Sequence, residues 1–205
     1  MVSWKDIGMF LILSGVILVA FFLVLGGALP GYCQGRCQGI TKSQGVLEIS
    51  FEYERQKTIA SNQFALWVED AQGNLVKTIY VTRFTGQGGY ERRPECLPEW
   101  VKKADPSSWT REMVDAIATA TPKGGVQVYT WDGHDEAGNL VAPGEYSFVI
   151  EANLLWSSRV VYRGTFHYGG ENQDEIPVTV TYFGERTREG MIKNVKAKYT
   201  ATEEQ

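Results

Sequence analysis

The chain has 205 residues and a formal charge of −4, with no basic stripe interleaved with aromatics, which argues against nucleic-acid binding. Its length suits one domain with a sizeable core plus an appendage. Frequent glycine, together with plentiful tyrosine, phenylalanine and tryptophan, points to turn-rich β structure.

Ile7 to Leu29 is an apolar run without a charge. It is long enough to cross a bilayer, which takes about 20 residues, and longer than the apolar region of a signal peptide, about 7–15 residues. Residues 1–30 are therefore read as a single-pass membrane anchor. Gly26-Gly27-Ala28 leaves a cleaved signal as the alternative. The short leader and the long part that follows favour export of the bulk of the chain, giving a membrane protein with an extracytoplasmic domain. Residues 31–45 form a Gly- and Gln-rich linker holding Cys33 and Cys37, which in an exported protein can close a small disulfide loop. The third cysteine, Cys96, is read as a buried free thiol.

The folded domain is expected over residues 46–199, with 200–205 as a tail. Leu47, Ile49, Phe51 and Tyr53 alternate with Glu48, Ser50, Glu52 and Glu54, which predicts a two-faced strand. Phe64, Leu66 and Val68 mark the next strand, over Asn62–Glu69. Asp70-Ala71-Gln72-Gly73-Asn74 predicts a hairpin turn into a strand over Leu75–Arg83. Phe84 to Pro94 is polar and glycine-rich, with Arg92-Arg93 inside it. Two short helices follow, Leu97–Ala104 opening on Pro98 and Thr110–Ala120 with Thr110 as N-cap. They make a helical insert over about residues 96–120, and an insert of this kind is commonly functional or partner-facing.

Val126, Val128 and Thr130 alternate with Gln127, Tyr129 and Trp131, while Tyr146, Phe148 and Ile150 alternate with Ser147, Val149 and Glu151. Asp132-Gly133, Gly138-Asn139 and Pro143-Gly144 supply the turns between these half-buried strands. Strands are expected over Arg159–Tyr168, Ile176–Phe183 and Met191–Tyr199. About eight strands at this spacing describe an all-β, antiparallel, immunoglobulin-like sandwich.

Candidate chemistry is sparse. Asp132, His134, Asp135 and Asn139 carry oxygen ligands without EF-hand spacing, and a turn is the simpler reading. His167 lies on a strand surface, and Glu48 and Glu52 on a solvated face. No Ser-His-Asp set, phosphate loop or metalloprotease helix is present, so the chain is not read as an enzyme. Trp100, Trp131 and Trp156, with Tyr129, are read as core, and Trp109 as the exception, because it lies in the insert.

Several blocks carry a family resemblance: LEISFEYE, SNQFALWVEDAQGNLVKTIYVTRF, GGYERRPECLPEW, VDAIATATPKGG and YTWDGHDEAGNLVAPGEYSFVIEA. In this order they resemble the domain of unknown function 2271 family, exported bacterial proteins. The last block also resembles the immunoglobulin-like domain of flagellar hook-capping proteins, a likeness of fold only. The family resemblance implies an extracytoplasmic sandwich, in some members associated with flavin-dependent membrane redox systems.

Asp115 to Thr121 resembles the sequence on which exported flavin transferases attach FMN. Asp115, Ala120 and Thr121 match that pattern, while Ala118 replaces a Ser or Thr and Thr119 a Gly. Thr121 is the implied acceptor of covalent FMN. The plainer alternative is a helix end leading through Pro122-Lys123-Gly124-Gly125 into the next strand. The expected function is thus a membrane-anchored, non-catalytic accessory or binding module with a membrane-protein partner; the alternative is a structural or assembly immunoglobulin-like domain with no cofactor.

Overall fold

The computed structural model describes residues 44–57, 62–155, 158–184 and 190–202, with residues 154 and 155 as backbone only. The anchor over residues 1–30, Cys33, Cys37 and Trp156 lie outside the described residues. Within the described residues, no helix is long and apolar enough to cross a membrane.

Among the described residues, nine strands form two sheets: β1 (Gly45–Tyr53), β2 (Gln63–Asp70), β3 (Leu75–Thr82), β4 (Ala118–Thr119), β5 (Gly125–Trp131), β6 (Gly144–Leu155), β7 (Ser158–Tyr168), β8 (Val178–Phe183) and β9 (Ile192–Ala201). The small sheet has the order β5-β1-β9 and the large one β4-β3-β2-β6-β7-β8. All pairings are antiparallel except one. β4 runs parallel to β3, with Val81 opposite Ala118 and Thr82 opposite Thr119, which corrects the expectation of a wholly antiparallel sandwich.

Period-two alternation explains the core. Leu47, Ile49, Phe51 and Tyr53 of β1 are buried, and the residues between them face outward. They meet Phe64, Leu66 and Val68 of β2, Phe148 and Ile150 of β6, and Tyr162 and Phe166 of β7.

The large sheet is buried on a second face as well. Ala65 and Trp67 of β2, Val149 of β6 and Val161 of β7 point away from the small sheet and form a separate cluster with Leu97, Trp100 and Ala118. The central strands are therefore covered on both sides, where the alternation in β6 had suggested half-burial.

The insert forms this cover. A tight π-turn (Thr85–Gly89) leads into α1 (Tyr90–Arg92), followed by α2 (Pro98–Ala104), a 3-10 turn (Pro106–Ser108) and α3 (Arg111–Ile117). Thr110 caps α3, its hydroxyl accepting from the Met113 N–H. The helix stops at Ile117 rather than Ala120, because Ala118 and Thr119 leave it to pair with the edge of β3. Gly86 permits this: a Cβ there would lie 2.6 Å from that of Ala118.

One turn is used twice. In Asp70–Asn74 and Asp135–Asn139 the aspartate Oδ1 accepts the Asn backbone N–H four residues on, at 2.8 Å in both, and Gly73 and Gly138 adopt positive φ. The second copy docks on the otherwise open end of β3. Glu136 donates its N–H to the Val76 carbonyl, and its carboxylate accepts the Thr78 N–H at 2.7 Å.

Candidate functional site

The insert is fastened to the sheet by polar groups in the cluster around Trp100. Asn153 of β6 accepts the Leu97 N–H at 2.6 Å and donates to the Glu95 carbonyl at 2.7 Å. Two residues earlier on the same face, Glu151 accepts the N–H groups of Glu99 and Trp100, at 3.3 and 2.9 Å. These are free donors at the start of α2, so β6 caps the helix from outside.

Arg159 of β7 bonds Glu151 at 3.0 Å and lies 3.6 Å from Glu99. Arg163 pairs with Glu99 at 3.2 Å and with Glu69 at 2.5 Å, and Lys103 of α2 pairs with Glu69 at 3.0 Å. The result is an alternating ladder of three carboxylates and three cations joining β2, β6 and β7 to α2. Its far end is closed by Phe183, whose ring centroid lies 3.8 Å from the Arg159 guanidinium carbon.

The two buried carboxylates behave differently. Burial is the largest influence on Glu151 and pushes its carboxyl up to about 7, against the hydrogen bond from Trp100 and the charge of Arg159. Burial also opposes ionisation of Glu69. There, hydrogen bonds from Arg163, Trp67 and Lys103 together hold the carboxyl below its ordinary value.

This clamp positions α3 and the segment after it. Asp115 is on the exposed side of α3, 3.7 Å from Arg111. It lines a cavity of about 480 Å³ with Gly86, Gly88, Tyr90, Trp109 and Arg111 among its other walls. Trp109 is held in place by an Nε1–H bond to the Ala104 carbonyl at 3.1 Å and an edge-on contact with Trp100. It is half-buried and faces the cleft, while Trp100 and Trp131 are core. On the other side of α3, Ala116 and Ile117 line a second cavity of about 410 Å³ with Lys77 and Asp132.

Thr121 lies beyond β4, in the crossover from the large sheet to the small one. It is half-buried and lines neither cavity, so Asp115 and Thr121 are two ends of one segment rather than walls of one pocket. The crossover is anchored one residue earlier, where the Tyr80 hydroxyl donates to the Ala120 carbonyl at 3.3 Å. Tyr80 belongs to a buried aromatic group with Phe51, Tyr53, Phe64 and Tyr129, and burial pushes its hydroxyl up to about 12.

A family model described as "Predicted periplasmic protein (DUF2271)" matches residues 46–182. The chain belongs to this family. The matched span includes the whole insert, the ion ladder, Asp115 and Thr121, and ends inside β8. No curated protein and no solved structure matches the chain.

The family's span also contains further residues singled out by sequence. Asp132, Asp135 and Asn139 are turn residues: Asp132 pairs with His134 at 2.9 Å, and Asp135 accepts from Asn139. Among the described residues, no group of three or more His, Cys, Asp or Glu is placed to hold a metal ion. His167 is exposed on β7, and Cys96 is buried. Sequence reasoning missed the ladder. Its signal was present: Glu69, Glu151, Arg159 and Arg163 share strand faces with Trp67, Val149 and Val161, and apolar residues on a supposed solvent face announce a cover.

Proposed function

We propose that this periplasmic-family protein is a non-catalytic accessory module, tethered to the membrane by its N-terminal apolar run, that carries FMN covalently on Thr121 and docks to a membrane redox partner. The observation that carries this reading is the setting of Thr121. Its hydroxyl has no hydrogen-bond partner among the described residues, and it lies in the crossover between two sheet edges. The following Gly124 and Gly125 have positive φ, and the Cβ direction of Gly125 is open.

The residues fit an attached FMN. Thr121 supplies the hydroxyl for the phosphodiester bond. Thr119, which departs from the flavin-attachment pattern, sits in β4 with ordinary negative φ, so its position here does not require a glycine. Bound FMN would supply one- and two-electron transfer. The chain's own part is to hold the segment out at the sandwich edge, with the ion ladder fixing the insert and Tyr80 fixing Ala120. The immunoglobulin-like kinship of the sandwich belongs to the same proposal and rests on the hairpin sequence from Trp131 to Phe148.

Co-expression with an exported flavin transferase tests the attachment. Expected is a mass increase of one FMN unit, with flavin fluorescence on a denaturing gel, both lost in Thr121→Ala. Absence of any adduct on the natural chain rejects the carrier role. Mild-detergent pull-down from membranes tests docking; recovery of no membrane protein rejects that part.

A further inference from the structure

The edges of the two sheets are treated unequally. The edge of β3 is covered at one end by β4 and at the other by Glu136. The edge of β9 is paired by Gln173, which exchanges backbone hydrogen bonds with Tyr199, and by Ile176, which donates to Ala197. β9 also carries Lys193, Lys196 and Lys198. These are the usual devices that stop a sheet from pairing with another chain.

β5 has none of them. Among the described strands it pairs with β1 alone. Gly125-Val126-Gln127-Val128-Tyr129-Thr130-Trp131 contains no charge, no proline and no lysine guard. Its outward side chains include Val126, 68% exposed, and Val128, 56% exposed, the two most exposed large apolar residues of the described domain. β8 is also uncharged, but its Phe183 is capped by Arg159, and residues 185–189 just beyond it lie outside the described residues.

We propose that β5 is a self-docking edge and that its occupant is β5 of a second copy, joining two small sheets into one six-stranded sheet. The sequence is self-complementary about Gln127. An antiparallel pairing centred there sets Val126 of each chain opposite Val128 of the other, with all four valines on the outer face. It sets Tyr129 opposite Gly125, while the Tyr129 ring keeps its places against Phe51 and Tyr80, 5.8 and 5.2 Å away between centroids. With no charge on either strand, self-pairing brings no like charges together. The neighbouring Glu52, opposite Val126 on β1, is near Lys193 of β9. Along the free edge of β5, backbone groups of the partner strand replace the Gln127 amide, which bonds the Gly125 and Val126 carbonyls at 3.2 Å each, and the exposed valines leave water.

The test uses the full chain in mild detergent. Light scattering after size exclusion is expected to give a dimer. Val128→Lys, which adds the missing guard, is expected to give a monomer with an unchanged circular dichroism spectrum and a melting temperature that no longer depends on protein concentration. In a second variant, Gln127→Cys, oxidation is expected to yield a covalent dimer, with peptide mapping placing the bond between the introduced thiols of the two copies. Lys198→Cys on the far strand should give none. A monomeric natural chain, a dimer that survives Val128→Lys, or an introduced thiol of Gln127→Cys bonded to Cys33 or Cys37 of its own chain would each overturn the proposal.

Discussion

Glu151 makes the stability of this fold depend on pH in an unusual direction. Its side chain is fully buried and meets two backbone N–H groups and Arg159, yet burial dominates and raises its carboxyl from 4.5 to about 7. The folded protein thus binds this proton more tightly than the unfolded chain does. The stability linked to it is fully present below the unfolded value of 4.5 and is lost as pH rises through the folded value of about 7. At 1.36 kcal/mol per unit, the loss across that window is about 3 kcal/mol. Glu151→Gln keeps the shape and an acceptor for the Trp100 N–H but does not titrate. Denaturant unfolding of both proteins at pH 5 and pH 8 isolates the contribution, because every other titrating group is shared. The stability of the natural protein minus that of Glu151→Gln is expected to fall by about 3 kcal/mol between the two. No change, or a difference that grows with pH, would refute the reasoning: the second outcome would mean that Arg159 and the α2 donors outweigh desolvation and hold the group ionised.

Asn153→Ala removes the partner of both the Leu97 N–H and the Glu95 carbonyl, and is expected to cost about 2–4 kcal/mol in denaturant unfolding. Gly86→Val drives side-chain atoms into Ala118 and Val81; it should cost about 1–3 kcal/mol and speed amide exchange at Ala118 and Thr119, where β4 leaves β3. Tyr53 and Tyr80, both pushed up to about 12, should remain un-ionised at a pH where exposed tyrosines titrate, read by phenolate absorbance.

The strands were legible because their side chains alternate. Leu47 to Tyr53 and Tyr146 to Ile150 announce one buried face each, and the two Asp-x-x-Gly-Asn turns announce their bends. The insert was legible as helices, since Thr110 and Pro98 are clear start signals. What could not be read was where the insert lies. Its docking depends on pairings such as Trp100 with Glu151 and Leu97 with Asn153, more than fifty residues apart in sequence. β4 was hidden for a related reason. Ala118 and Thr119 continue an apparently helical stretch, and the edge of β3 pulls them out of it, tertiary pairing overriding a weak local preference. At the candidate site, sequence placed Asp115 and Thr121 in one motif; in three dimensions the first lines a cleft and the second is in the crossover.

The most direct test of the carrier role is the intact mass of the natural chain and of Thr121→Ala, each co-expressed with an exported flavin transferase. The account predicts one added FMN unit on the natural chain and none on the variant. An unmodified natural chain, or an adduct that persists in Thr121→Ala, would contradict it.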